Sequence, residues 1–183
     1  MTWVAVAVAS VLAAATTLAT PTVLRRIPEP TDDPDAVAKT LYAALPTRRF
    51  LLAVAGLAWV AGLAAFGTTA PAAWLAWASL VGPGALAIVV DGATTWLPRV
   101  LTRTMAVVAT VGLSVWAMVE ADPLVALRGV LGALAVGGFF YLLWRVVGGI
   151  GFGDVRLMAV VGAVTAAHSV QLAIWAVLAG TIA

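Results

Sequence analysis

The chain contains no cysteine and only one histidine, His168. Without thiols there is no disulfide, no cysteine-ligated zinc and no thiolate nucleophile. With a single imidazole, a histidine-built metal site or a Ser-His-Asp triad is not expected. Charge is scarce as well: 10% of the residues are charged, where an ordinary soluble domain has about a quarter. The net charge of +2 is too small to point to nucleic acid. No cofactor or metal is expected from this inventory. What the chain does have is apolar surface, 63% of its 183 residues, with a mean hydropathy of +1.09. A soluble fold has no interior large enough to hide that much, so the expected solvent is a lipid bilayer.

Long apolar runs occur at 3–24, 50–66, 74–90, 104–119, 124–144, 155–167 and 170–183. They predict an all-α, polytopic transmembrane bundle of about six to seven spans, forming a single membrane domain over residues 1–183. The first run has no basic residue before it and Arg25-Arg26 after it. It reads as a span with its N-terminus outside, not as a signal peptide. The last run is short: a helix of that length covers about 21 Å, so it tilts little and ends inside the bilayer, or the chain is shorter than its relatives. Residues 25–49 are the one sizeable polar segment, with four prolines and the acids Glu29, Asp32, Asp33 and Asp35. Within it 36–45 reads as a short surface helix.

The basic residues set the direction. Arg25, Arg26, Lys39, Arg48 and Arg49 lie in the first loop, Arg99 and Arg103 in the third, and Arg145 and Arg156 flank the fifth. These alternate loops share one side, which the positive-inside rule makes cytoplasmic. The opposite loops carry Glu120 and Asp122, and Arg128 sits one turn into a span, where it can snorkel outward. The small residues Gly129, Ala133 and Gly137 fall on one helix face and predict close backbone packing. Trp74, Trp77, Trp96, Trp116 and Trp144 fall mostly near span ends and read as interface anchors. His168, in an outer loop, is assigned an interfacial role.

Two acids stand apart. Asp91 follows the unbroken run 85–90, and Asp154 ends the glycine-rich segment 148–153 and opens the next apolar helix. By the topology both lie at the cytoplasmic ends of spans. A carboxylate at a membrane boundary is costly to desolvate and is a functional candidate for that reason. Each also has a plain structural reading, Asp154 as a helix N-cap and Asp91 as a turn residue before glycine. If the two lie close, they cannot both ionise easily. The ionised one then activates water and the protonated one polarises a peptide carbonyl, the division of labour in aspartic proteases. Gly151 and Gly153 form an active-site loop in this reading. They offer positive φ or the close approach of another chain, and the helix dipole attracts negative charge at Asp154.

The wider pattern is Asp91 through Thr102, or D-x5-L-P-x2-L-T with Leu97-Pro98 inside it, followed by Gly151-Phe152-Gly153-Asp154-Val155-Arg156-Leu157. This pair resembles the type IV prepilin peptidases, a family of GxGD membrane aspartic peptidases, over roughly residues 50–183. The resemblance implies that Asp91 and Asp154 are the catalytic pair and that the substrate is a prepilin or pseudopilin, a basic leader followed by an apolar helix. It implies cleavage at the cytoplasmic face of the cytoplasmic membrane. Long family members carry a Cys-x-x-Cys zinc insert and methylate the new N-terminus. This chain has neither the cysteines nor the room, so it is similar to the short, peptidase-only branch that serves Flp-type pili. Arg99 stands where an acid often follows Leu-Pro, and Arg156 where lysine is common. The loop acids read as solvated residues, with attraction of the basic leader as the alternative. Two other readings stay open: a presenilin-like protease that cuts within membrane helices, and a non-enzymatic carrier or pilus-assembly protein.

Overall fold

Each apolar run becomes a helix, and the ends of the helices follow ordinary capping chemistry. The computed structural model describes residues 2–29, 40–147 and 150–182. Seven helices run in order: α1 Trp3–Arg26, α2 Arg48–Thr68, α3 Pro71–Thr94, α4 Arg99–Val119, α5 Pro123–Val146, α6 Phe152–His168 and α7 Val170–Ile182. There is no strand among the described residues. The first five are long and apolar enough to cross a membrane. The last two, of 17 and 13 residues, complete the bundle. The chain is therefore a multi-pass helical membrane protein. Large apolar side chains such as Leu18, Val107, Leu134 and Trp175 lie exposed on the helices, as lipid-facing surfaces require.

Side-chain oxygens close the helix starts. Thr2 accepts the Ala5 N–H, Thr47 accepts the Phe50 N–H, and Asp122 accepts the Leu124 N–H with Pro123 at the first helical position. Pro98 precedes α4, as its missing N–H favours. Hydroxyls within the spans are satisfied locally: Ser10, Thr104, Thr110 and Ser114 each donate to the carbonyl four residues back. Such bonds spare a polar group from facing lipid alone.

α3 is not regular. Between Leu80 and Gly84 it widens into a π-turn around Pro83. Proline lacks an N–H, and its ring crowds the carbonyl four residues back. A wider i→i+5 turn relieves both problems. The extra residue rotates everything downstream by about 100°, and Asp91 lies two turns downstream.

The helices pack as two groups. α1 lies along α2, and α4 crosses α3 where Gly112 meets the backbone of Leu75 and Ala76. α5 lies along α6, with Gly132 against the Gly162 carbonyl and the Ala166 methyl. α7 packs on α6, bringing Gly180 against Met158. α4 joins the groups through contacts with α5 and α6. The expected small-residue face of α5 is present but divided between two neighbours. Gly129 meets Leu113 of α4, and Gly137 meets Ala159 of α6.

Of the short helix expected over 36–45 in the polar segment, residues 36–39 lie outside the described residues and the described part, 40–45, is not α-helical. That part holds a single 3₁₀ turn, Tyr42–Ala44. Asp32, Asp33, Asp35 and Lys39 lie outside the described residues.

Candidate active site

Between the two groups of helices runs a cleft of about 1430 Å³, lined by α2 and α3 on one side and by α5, α6 and α7 on the other. Asp91 lines it from α3 and Asp154 from α6. Both carboxylates are partly exposed, and the charge of Asp154 acts on Asp91. The two acids singled out in the sequence thus share one space.

Asp91 sits inside α3, not after it. The helix continues to Thr94, and the Asp91 carbonyl accepts the Thr95 N–H at 2.6 Å. The Thr94 hydroxyl donates to the Val90 carbonyl at 2.9 Å and accepts the Trp96 N–H at 3.2 Å. Thr95 takes a left-handed conformation, φ 57°, which a β-branched residue adopts only under strain. This stop turns the chain out of α3 into Trp96-Leu97-Pro98. Gly92 also lines the cleft, and a Cβ there would meet nothing within 4 Å. Asp91 is therefore not a turn residue; the helix presents it.

Asp154 is not the N-cap residue itself, although its side chain does help to cap the helix. α6 starts at Phe152 with Gly151 as N-cap, and Asp154 occupies the third helical position. Its Oδ2 accepts the Gly151 N–H at 2.9 Å, and its own N–H donates to the Gly151 carbonyl at 3.0 Å. The side chain thus satisfies a backbone donor while a carboxylate edge remains toward the cleft. Gly151 has φ −75°, so positive φ is not what it supplies. Gly153 supplies close approach. A Cβ there would lie 2.9 Å from the Leu97 Cβ. The two sequence motifs touch at this point: Leu97 of the segment after Asp91 rests on the glycine before Asp154.

Tyr42 is a neighbour that the sequence reading missed. Its ring is 3% exposed. Glu29 fixes its backbone by accepting the N–H groups of Tyr42 and Ala43 at 3.1 and 3.2 Å. Burial first, then the charges of Glu29 and Asp91, push the phenol up to about 12. A phenol so held stays protonated at neutral pH, as a hydrogen-bond donor in the field of Asp91. The available signal was modest, a lone tyrosine in the polar loop.

The far end of the cleft is different. His168 lines it there, about 21 Å along α6 from Asp154 at 1.5 Å per residue. It is exposed but not solitary: its ring lies 6.1 Å from that of Trp77 and 6.4 Å from that of Trp116. Trp116 is buried at 6% exposure, so it is a core residue and not the interface anchor expected. Trp74 donates to the Thr69 carbonyl and packs on Phe66, while Trp144 packs on Phe152 beside the glycine loop. Among the described residues no cluster of His, Asp and Glu has the makings of a metal site.

Residues 78–183 match the model of the type IV leader peptidase family, a stretch that contains both aspartates, Leu97-Pro98 and the glycine loop. No curated protein and no solved structure matches the chain.

Proposed function

The chain belongs to the type IV leader peptidase family, and from that premise we propose that Asp91 and Asp154 are the catalytic pair of an aspartic endopeptidase that removes the leader from Flp-like prepilins or pseudopilins. The observation that carries the reading is the shared cleft. Two acids from opposite groups of helices line it, and one acts electrostatically on the other. In the proposed mechanism one carboxyl group of the pair carries a proton and the other is ionised. The ionised member takes a proton from a water molecule as that water attacks the carbonyl carbon of the scissile peptide. The protonated member hydrogen-bonds the carbonyl oxygen and stabilises the tetrahedral intermediate. Proton transfer to the peptide nitrogen then breaks the C–N bond. The leader leaves with a carboxyl terminus and the mature pilin with a free amine.

The arginine distribution supports a cytoplasmic active face in the cytoplasmic membrane. A basic leader would approach from there while the apolar pilin helix stays in lipid. The family match favours leader removal over presenilin-like cutting within helices, and acids placed near the helix ends favour it over a carrier, whose polar groups belong near mid-membrane.

The test is leader cleavage in membranes, read as a gel shift of a prepilin-type substrate. Asp91→Asn and Asp154→Asn are each expected to lower the rate by at least about 10³-fold while the protein stays folded and membrane-inserted. Cleavage at the normal rate by either variant overturns the assignment.

A further inference from the structure

A second, smaller groove lies on the other side of α6, between α4, α5 and α6. Ala106, Ala109 and Leu113 of α4, Ala133 of α5 and Ala163 of α6 give it an apolar wall. Its two threonines do not change that. Thr102 donates its hydroxyl to the Arg99 carbonyl and Thr110 to that of Ala106, so both are spent on their own helix. One end of the groove carries Arg103 and Arg156. Arg99 stands one helical turn before Arg103, and the charges of Arg99 and Arg103 both act on Arg156. Among the described residues neither Arg103 nor Arg156 forms an ion pair. Arg156 is only oriented, by a bond from its Nε to the Phe152 carbonyl at 3.4 Å and by the Phe152 ring at 5.6 Å. Like charges gathered at one point repel, so the cluster favours an anion.

The dimensions choose among anions. The groove holds about 340 Å³. Spread over the ~16 Å rise from Thr102 to Leu113, this leaves a cross-section on the order of 20 Å². One extended hydrocarbon chain fits such a channel. A helix about 10–12 Å across does not, and a basic leader would be repelled by the arginines. The arginines stand in the first turns of α4 and α6, close in sequence to Asp91 at the end of α3 and Asp154 at the start of α6, and the arginine distribution assigns that side to one leaflet's headgroups.

We propose that this groove binds one anionic phospholipid, its phosphate held by Arg103 and Arg156 with Arg99 beside them, and one acyl chain laid along α4 against Ala106, Ala109 and Ala133. The site is separate from the cleft and does not depend on the peptidase reading. Its position behind α6 makes it a brace for the helix that carries Asp154.

The full chain, purified in detergent, is offered phosphatidylglycerol or phosphatidylcholine of the same acyl length and examined by native mass spectrometry. One phosphatidylglycerol is expected to stay bound, with a preference of about tenfold over phosphatidylcholine. Arg103→Ala with Arg156→Ala should erase the preference. Ala106→Phe, which fills the groove and keeps the arginines, should release the lipid. Equal retention of the two lipids by the unaltered chain overturns the proposal without need of any variant. So does retention of phosphatidylglycerol by Ala106→Phe, which would leave only diffuse charge attraction. One-for-one displacement of the lipid by an apolar substrate helix would also overturn it and assign the groove to the peptide.

Discussion

α6 shows two faces to the rest of the bundle, and they are built on opposite rules. Toward α5 it offers Ala159, Gly162 and Ala166, and the partner answers with Gly132 and Gly137. Gly132 and Gly162 each lie against the other's carbonyl, so the two backbones all but touch. Toward the cleft, α6 offers Asp154, Leu157, Met158, Val161 and His168, and although α7 covers Met158 through Gly180, the space beside them stays open. Both faces follow from helical spacing on one short helix. The lesson is a division of labour. In a membrane, where apolar burial gives helices little reason to associate, close small-residue packing holds α6 firmly on α5. That firmness lets the opposite face stay open, with a carboxylate held in position at its edge.

The largest way to break the comparison is to fill the closed face. Gly162→Leu would drive a side chain into the Gly132 carbonyl and Val136. It should cost about 3 kcal/mol, read as a fall in the thermal midpoint in detergent, with cleavage lost alongside. Unchanged stability would mean that the seam is loose. A smaller and more selective effect is expected where the two motifs touch. Gly153→Val forces Leu97 away from the start of α6. We expect cleavage to drop by about 10²-fold, the order expected for a misplacement of ~1 Å, with the thermal midpoint nearly unchanged. Leu97→Ala in the same chain should recover part of the rate. No recovery would mean that this contact does not set the spacing of the aspartates.

Much of this contrast was legible in the sequence, and the reasons it was not wholly so are physical. Asp91 and Asp154 stand out in the sequence because charge is rare in apolar runs, and the alternation of arginines predicts one side for both. Their local settings were misread: Asp91 is within α3 and Asp154 is three residues into α6. Helix ends depend on capping geometry that hydropathy does not record. The stripe Gly129, Ala133, Gly137 was read as one seam, but a four-residue spacing drifts about 40° per step around a helix of 3.6 residues per turn. Its members therefore meet α4, the lipid-sized groove and α6 in succession. Gly132, on the true seam, was overlooked for the same reason. The π-turn at Pro83 and the approach of Tyr42 to the Asp91 field depend on how distant segments pack, which local pattern cannot supply.

Tyr42 gives the third test, now on the Asp91 side of the site. Its phenol is raised from an ordinary value near 10 to about 12, chiefly by burial. The neutral form is the one the fold prefers, so the stability it contributes is complete below pH 10. It is lost as pH climbs from 10 toward 12 and the unfolded chain releases the proton first. The loss should be about 1–2 kcal/mol, visible as an alkaline fall in the thermal midpoint. Tyr42→Phe should flatten that limb. An unchanged limb in the variant would remove Tyr42 from the description of the site.

The smallest effect sharpens the comparison from the side of α5. Gly137 and Gly138 are neighbours in sequence with opposite surroundings. A Cβ on Gly137 would lie 2.8 Å from that of Ala159, whereas one on Gly138 would meet nothing within 4 Å. Alanine is the better helix former by about 1 kcal/mol in an exposed helix interior, so Gly138→Ala should raise stability by about 0.5–1 kcal/mol and leave cleavage alone. Gly137→Ala gains the same backbone preference but must push α5 off α6, and the two terms should nearly cancel or leave a small loss. The informative quantity is the difference between the two substitutions, because propensity is common to both and drops out. A difference near zero would mean that α5 and α6 are held by something other than the contact of their backbones, and the closed face would lose its claim to position Asp154.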